Sequence, residues 1–330
     1  MKQERKYGLD IVRIIATLSV LSVHFFLKTN YYNTPLNSMP MRVQSIIRNF
    51  FMICVPLFIL LTGYLNNNKE YNKIFFKKLF NILIIWLFYS VIEYFTLQII
   101  NNTHTFNLKD LLFNVTSFNG CGYSWYIEMY IGLYFLSPII NNAFDVMNDK
   151  NKKSLVIISI ITFVLPTVVN ALFDNILHIP SWWISVYPLC YYITGKYIKY
   201  KNYNFKKKNL ILLLIFTQLI TFSLSFICKI EYNTLTTFIS TCIIFLLLYN
   251  INIEKIWQQK VLKYFSSISL DIYLSSSLID YIIYKIFNNQ MIIHNISQSK
   301  CILFAPLVII TVFILSSIMG SIRKLLINVR

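Results

Sequence analysis

Three ionisable side chains interrupt an otherwise apolar stretch near the N-terminus, YGLDIVRIIATLSVLSVHFFL at residues 7–27. Asp10, Arg13 and His24 lie in a segment that is long and apolar enough to cross a bilayer as a helix. Ionisable side chains are costly at membrane depth, so they rarely occur there without a function. Arg13 could bind an anionic group and pair with Asp10 one turn earlier. His24 could act as a general base near neutral pH.

The spacing of Arg13 and His24 favours a common role. Their separation of eleven residues returns an α-helix to within about 20° of its starting face and advances it by about 16 Å. The structural alternative is that Arg13 reaches the headgroups, that Asp10 balances its charge and that His24 bonds a backbone carbonyl. The shared face and the two depths lead us to prefer a groove with a cation at its inner end and a base deeper in the membrane.

The composition indicates a polytopic membrane protein with no sizeable soluble domain. The 330 residues are 56% hydrophobic and 13% charged, whereas about 25% of the residues in soluble domains are charged. We predict a single all-α domain over 1–330 that places about ten helices in the lipid bilayer. The predicted spans are roughly 9–29, 43–65, 79–99, 123–142, 154–173, 182–198, 209–227, 233–250, 264–287 and 301–322.

The distribution of positive charge predicts the orientation of these spans. If the N-terminus is cytoplasmic, 23 of the 30 Lys and Arg residues fall in inner segments and seven in outer ones. Cytoplasmic loops of membrane proteins carry such an excess, so we expect both termini to be cytoplasmic. The net charge of +17 therefore reflects orientation, and it does not indicate a nucleic-acid partner because the chain has no basic soluble face.

Later parts of the chain add further candidates. Glu128, in the fourth predicted span, could orient His24, or it could pair with Arg48 or make an interior hydrogen bond. Trp125 and Tyr126 could wall a substrate cavity near an outer loop, although they could equally be interfacial anchors. We group Arg48 with them as a substrate contact. The six Cys and four His residues show no metal-ligand spacing, so we predict no metal.

Four stretches of the sequence, in order along the chain, carry a family resemblance. The first is GLDIVRIIATLSVLSVH, with an Arg and a His separated by ten residues, and the second is FFMICVPLFILLTGYL at 50–65. The others are SWYIEMYIGLYFLSPII at 124–140 and YFSSISLDIYLSS at 264–276. Together they resemble the motifs of the acyltransferase-3 family of integral membrane acyltransferases. The resemblance spans most of the chain and implies an acyl-CoA donor and a sugar, lipid or polymer acceptor.

The resemblance also implies residue roles. It makes His24 the catalytic base and Arg13 part of the donor site, which we extend to Asp10. Many relatives have an R-x-x-R pair after the second helix to bind the donor. The corresponding stretch here is FFKKLFNIL, so Lys77 and Lys78 would have to serve as point charges for the donor phosphates.

The late motif departs from the family pattern. Relatives usually have a His shortly after the tyrosine and leucine of this motif, whereas this chain has Ser275, Ser276 and Ser277 after Leu274. A reaction that needed that second histidine could not proceed in the same way here.

We therefore predict a multi-pass O-acyltransferase of the plasma membrane. It would move an acyl group, preferably acetyl, from cytoplasmic acyl-CoA to a hydroxyl of a cell-surface or lipid-linked glycan, so that O-acetylation modifies a cell-envelope polysaccharide. One alternative is a glycan or lipid transporter or flippase that uses the charged side chains as a pathway. Another is a non-catalytic relative that binds acyl-CoA within a glycan-assembly complex. The sequence leaves the oligomeric state open.

Overall fold

The computed structural model describes residues 5–102, 107–173 and 176–327, of which 79% are helical. Within these ranges there is no strand, in agreement with the predicted all-α class. Six helical segments there are long and apolar enough to cross a membrane: Tyr7–Lys28, Met39–Leu65, Lys73–Ile100, Asp149–Phe173, Lys207–Leu224 and Gln298–Leu326. The molecule thus has the features of a multi-pass membrane protein, while the ten crossings and the cytoplasmic termini stay predictions.

The α-helices of the described ranges are numbered here in chain order. They are α1 (Tyr7–Lys28), α2 (Met39–Phe51), α3 (Cys54–Leu65), α4 (Lys73–Ile100), α5 (Leu108–Thr116), α6 (Trp125–Val146), α7 (Asp149–Phe163), α8 (Leu165–Phe173), α9 (Ser181–Ser185), α10 (Tyr187–Lys201), α11 (Lys207–Leu224), α12 (Leu235–Leu248), α13 (Ile256–Ser267), α14 (Ser269–Ile293), α15 (Gln298–Cys301) and α16 (Ala305–Leu326).

Five of the predicted spans contain an interruption of the helix: 43–65, 154–173, 182–198, 264–287 and 301–322. Three of these, 43–65, 154–173 and 301–322, still lie within segments that are long and apolar enough to cross a membrane. Proline explains four of the interruptions, since it lacks an N–H and is tolerated only in the first turn of a helix. In each of these four spans the new helix has a proline among its first three residues: Pro56, Pro166, Pro188 and Pro306. In the fifth span the backbone leaves the helical region at Ile268, with φ −112° and ψ 10°.

The described residues form two compact units. Unit 1 comprises the described parts of 1–66, 144–267 and 296–305, and unit 2 those of 67–143, 268–295 and 306–330. The prediction of one domain over the whole chain is not tested by this grouping.

In unit 1, α1 packs against α2, α3, α12 and α13, and α3 packs most extensively against α10. The contact between α3 and α10 is unusually close. A Cβ on Gly63 would collide with the backbone of Tyr192, and a Cβ on Gly195 would collide with the backbone of Leu60. Small residues permit this approach, which is a common way for membrane helices to pack.

Charged residues lie at both ends of α1 and at the end of α10. Asp10 lies in the first turn of α1 and Lys28 in its last turn, so both side chains interact favourably with the helix dipole. Asn202 adopts a left-handed conformation with φ 46° and terminates α10 directly after Lys201.

Unit 2 is stabilised by an aromatic stack and a buried ion pair. The rings of Phe75 in α4 and Tyr134 in α6 stack with their centroids 4.4 Å apart. Arg323 in α16 donates two hydrogen bonds of 2.7 Å to the carboxylate of Asp271 in α14. Tyr89 in α4 donates to the same carboxylate at 3.0 Å, so this cluster ties three helices together.

Candidate functional site

The unbroken helix α1 carries three of the predicted site residues. Asp10 and Arg13 lie near its start, and His24 lies four residues before its last residue, Lys28. Because the helix is continuous, Arg13 and His24 leave it in nearly the same direction, at levels about 16 Å apart. His24 is 8% exposed, so its imidazole lies within the protein rather than on its surface.

A cavity of about 510 Å³ opens at the start of α1, entirely within unit 1. Four cationic side chains line it, namely Arg5, Lys6 and Arg13 around the start of α1 and Lys199 near the end of α10. The carboxylate of Asp10 also lines it. The lining therefore has an excess of positive charge, which suits an anionic ligand.

Three of these cations are fixed by neighbours. The guanidinium of Arg5 donates to both carboxylate oxygens of Asp10 at 2.8 Å, and this hydrogen bonding raises the pKa of Arg5. Arg13 Nη1 donates to Ser266 Oγ at 2.9 Å, which joins α1 to α13. Lys6 Nζ donates to the hydroxyl of Tyr64 at 3.3 Å.

The fourth cation, Lys199, lies with its Nζ 5.8 Å from the centroid of the Tyr64 ring. Burial lowers the pKa of Lys199, and the nearby charge of Lys6 lowers it further. A bound anion would relieve this repulsion, because an opposite charge favours the protonated ammonium.

The bidentate contact with Arg5 corrects the expected pairing of Asp10 with Arg13. Arg5 precedes α1, and its side chain folds back over the first turn to reach Asp10. Helical spacing indicates partners within the same helix, such as the residue one turn ahead, whereas Arg5 belongs to the segment that enters the helix.

Arg48, the predicted substrate contact in α2, is 4% exposed. Its Nε donates to the hydroxyl of Tyr32 at 3.0 Å, and its Nη1 donates to Asn49 Oδ1 at 3.1 Å and to the carbonyl of Ile230. The guanidinium lines a second cavity of about 170 Å³ in unit 1, formed by residues that follow α1, residues of α2 and the segment between α11 and α12. Arg48 is thus placed at a cavity at the far end of α1.

The remaining predicted contacts belong to unit 2. Lys77 and Lys78 are exposed in the first two turns of α4, and Lys78 Nζ lies 3.5 Å from Asn68 Oδ1. Trp125 is 40% exposed at the start of α6, whereas Tyr126 is buried, with its ring centroid 5.3 Å from that of Tyr273. Their roles in binding donor and acceptor stay predictions.

Glu128 requires a correction, because we predicted a buried carboxylate and the structure places this residue on the exposed face of α6. The spacing of the aromatic residues before it did not indicate which face of α6 is buried. The pairing of Glu128 with His24 or Arg48 stays a prediction, but burial no longer supports it.

The carboxylates that unit 2 does bury are Glu93, Asp271 and Asp280. Glu93 Oε1 accepts from Ser277 Oγ at 2.9 Å and from the backbone N–H of Gly122 at 3.2 Å. Asp280 Oδ2 accepts from the hydroxyl of Tyr123 at 2.6 Å. In the late motif that lacks the family's histidine, Ser277 therefore bonds a buried carboxylate.

Arg5, Lys6 and Lys199 line the basic cavity without having been predicted as site residues, and the pairing of Asp271 with Arg323 was not predicted either. Lys199 is distant in sequence from the start of α1, and Asp271 and Arg323 are 52 residues apart. The sequence feature that could have indicated the basic cavity is the high density of Lys and Arg at the predicted cytoplasmic ends of helices. We interpreted this density only as evidence for the orientation of the spans. Among the described residues no group of three or more His, Cys, Asp or Glu side chains comes together as a metal site.

The fold and the site are those of a multi-pass helical membrane protein. It has a basic cavity at the start of α1, the helix that carries the buried His24. A family model described as an acyltransferase domain, that of the acyltransferase-3 family, matches residues 6–322. The chain therefore belongs to this family of acyltransferases, and the resemblance seen in the four motifs is confirmed. A search of the curated proteins and a search of the solved structures each gave no match.

Proposed function

We propose that this membrane acyltransferase moves an acetyl group from cytoplasmic acetyl-CoA to a hydroxyl of a cell-surface or lipid-linked glycan. The observation that carries the proposal is the basic cavity at the start of α1, on the same continuous helix as the buried His24. The cavity would bind a polyanionic donor, and the same helix carries a candidate base about 16 Å farther along its axis.

The donor phosphates would bind in the basic cavity. Arg13 and Arg5 supply planar guanidinium groups that match phosphate geometry, and Lys6 and Lys199 act as point charges. Burial and the nearby charge of Lys6 lower the pKa of Lys199, and a bound anion would favour its protonated form. Lys77 and Lys78 remain proposed as further phosphate contacts.

The thioester arm would extend along α1 from Arg13 to His24, a rise of about 16 Å. His24 would take the proton of the acceptor hydroxyl while that oxygen attacks the thioester carbonyl carbon. The new ester C–O bond forms, the C–S bond breaks, and the CoA thiolate leaves and takes up a proton. This direct transfer in a ternary complex needs no acyl-enzyme; an acyl-histidine step is the alternative.

The proposal includes the predicted topology. The chain would cross the plasma membrane ten times, with both termini in the cytoplasm. This topology would place the basic cavity on the cytoplasmic side, which holds acetyl-CoA. The acceptor would then approach from the other side, toward the end of α1 that carries His24.

The test uses the full chain in lipid nanodiscs with labelled acetyl-CoA and a candidate glycan. We expect His24→Ala to bind CoA as the wild type does but to lose transfer by at least about a hundredfold, the lower range for a general base. His294→Ala is the matched control, because His294 is exposed at the end of α14, and it should transfer normally. Equal transfer by the His24 variant and the wild type would remove His24 from the mechanism, and CoA binding without any transfer by the wild type would indicate a non-catalytic relative.

A further inference from the structure

The second cavity, which Arg48 lines, lies at the opposite end of α1 from the basic cavity. Its lining includes Tyr31 and Tyr32, just after the end of α1, and Ile230. The basic cavity begins at residues that precede or start the same helix. Since α1 has 22 residues and is about 33 Å long, the two cavities are separated by roughly the thickness of a bilayer core.

Arg48 has unused hydrogen-bonding capacity at this cavity. A guanidinium carries five N–H groups, and the hydrogen bonds of Arg48 involve Nε and Nη1. Within the described part of the chain, the nearest partner of Nη2 is Glu231 Oε1 at 3.9 Å, which is too long for a hydrogen bond. The two N–H groups of Nη2, on a side chain that is 4% exposed, thus make no hydrogen bond to the described residues.

A second cation extends the positive charge to the mouth of the cavity. The Lys229 side chain is 69% exposed and forms a 2.7 Å ion pair with Glu231, the same carboxylate that lies near Arg48. Both cations flank the Tyr32 ring, 5.4 Å and 5.6 Å from its centroid. Arg48 and Lys229 share the single carboxylate of Glu231. These three side chains carry a net charge of about +1, which one bound anion would neutralise.

The size of the cavity limits the ligand. A volume of about 170 Å³ corresponds to five or six water molecules at about 30 Å³ each. A single carboxylate or phosphate group fits this space.

We propose that this cavity binds an anionic group, a carboxylate or a phosphate, on the glycan acceptor, so that the enzyme acts on acidic saccharides. The inference rests on the proposed function, because the acceptor side is assigned from the proposed topology. Arg48 and Lys229 would hold the anion, and the bound sugar would lie close to the end of α1, about 6 Å along the axis from His24.

The test measures binding of three matched sugars to the full chain in neutral-lipid nanodiscs by saturation-transfer NMR. The probes are glucuronate, glucose 1-phosphate and neutral glucose, each measured with CoA in excess so that the basic cavity is occupied. We expect at least one of the two anionic sugars to bind and glucose not to bind. Preference for glucuronate identifies a carboxylate sugar as the source of the anion, and preference for glucose 1-phosphate identifies a sugar phosphate.

Variants assign the binding to the cavity. Lys229→Gln should weaken the affinity for the anionic sugar about tenfold, the effect of one charge-assisted hydrogen bond. Glu231→Gln should strengthen it, because a competing carboxylate is removed. Lys109→Gln, an exposed lysine at the start of α5, should change nothing. Arg48 is left intact because its hydrogen bonds join α2 to Ile230.

Three outcomes overturn the inference: equal binding of glucose, no binding of either anionic sugar, or unchanged affinity in Lys229→Gln. If CoA binds and acetyl is transferred in any of these cases, the proposed function stands without the anion site. If CoA does not bind but the anionic sugars bind through Lys229, the anion site stands and the donor assignment fails.

Discussion

Single side chains show two different ways of keeping charge inside this protein. Asp271 and Arg323 are nearly fully buried and satisfy each other through two hydrogen bonds. In the basic cavity, by contrast, Arg5 takes up the carboxylate of Asp10, and Arg13 is held by the neutral hydroxyl of Ser266. The first arrangement stabilises the fold, and the second lies in a cavity whose described lining carries more positive than negative side chains.

The basic cavity makes a prediction for Arg13. Replacing it with Gln removes the charge but keeps a group that can bond Ser266, so we expect CoA affinity to fall about tenfold while the fold is retained. Equilibrium dialysis with labelled CoA measures this effect, and Lys285→Gln, an exposed lysine of α14, is the control. Unchanged affinity in the Arg13 variant would contradict the assignment of this cavity to the donor.

The buried ion pair makes a second prediction, about stability. Arg323→Met leaves the carboxylate of Asp271 buried and uncompensated, which should lower the free energy of unfolding by roughly 3–5 kcal/mol. The double variant Asp271→Leu with Arg323→Met should recover most of this loss, because both charges are then absent. Denaturant unfolding in detergent measures both values. If the double variant loses as much free energy of unfolding as the single variant, the loss does not come from the unpaired carboxylate of Asp271.

At the scale of helices, the sequence predicted the all-α class, but it did not predict where the helices are interrupted. The prolines that begin α3, α8, α10 and α16 were visible as residues, and their effect on the helix is local and predictable. The buried face of α6 was not predictable in the same way. The apolar residues of α6 are distributed over all of its faces. Their periodicity therefore did not predict that Glu128 is exposed and Tyr126 buried.

The close contact of α3 and α10 gives a third prediction. Gly195→Leu would force a side chain into the backbone of Leu60, separate the two helices and lower the yield of folded protein and its melting temperature. Gly132→Leu in α6 is the matched control, because a Cβ there meets no described atom within 4 Å. Fluorescence-detected size exclusion and thermal unfolding compare the two. Similar stability of both variants would mean that α3 and α10 can move apart without cost.

At the scale of the whole chain, the motif order and the composition were sufficient to predict the class of fold and the family. They were insufficient to predict which residues form the basic cavity. Arg5 and Lys6 come from the segment before α1, whereas Lys199 comes from the end of α10, and no local pattern links positions so distant in sequence. Only the packing of α3 on α1 and α10 brings them together.

Topology provides a fourth prediction. In a variant without the six native cysteines, Asn33→Cys should react with a membrane-impermeant maleimide in intact cells, because Asn33 is exposed beyond the end of α1. Asn202→Cys, at the basic cavity, should react only after the membrane is permeabilised. Labelling of both positions from the same side would show that the two ends of α1 do not face opposite compartments.

The position of His24 near the end of α1 leads, with the proposed function, to a prediction about the length of the transferred chain. Four residues, or about 6 Å of helix, remain between His24 and the last residue of α1. A donor anchored at Arg13 with its thioester level with the imidazole would have only this distance left for carbons beyond the carbonyl. We therefore expect two-carbon thioesters to be substrates and palmitoyl thioesters not to be substrates. The distance from His24 to the end of α1 would set this selectivity.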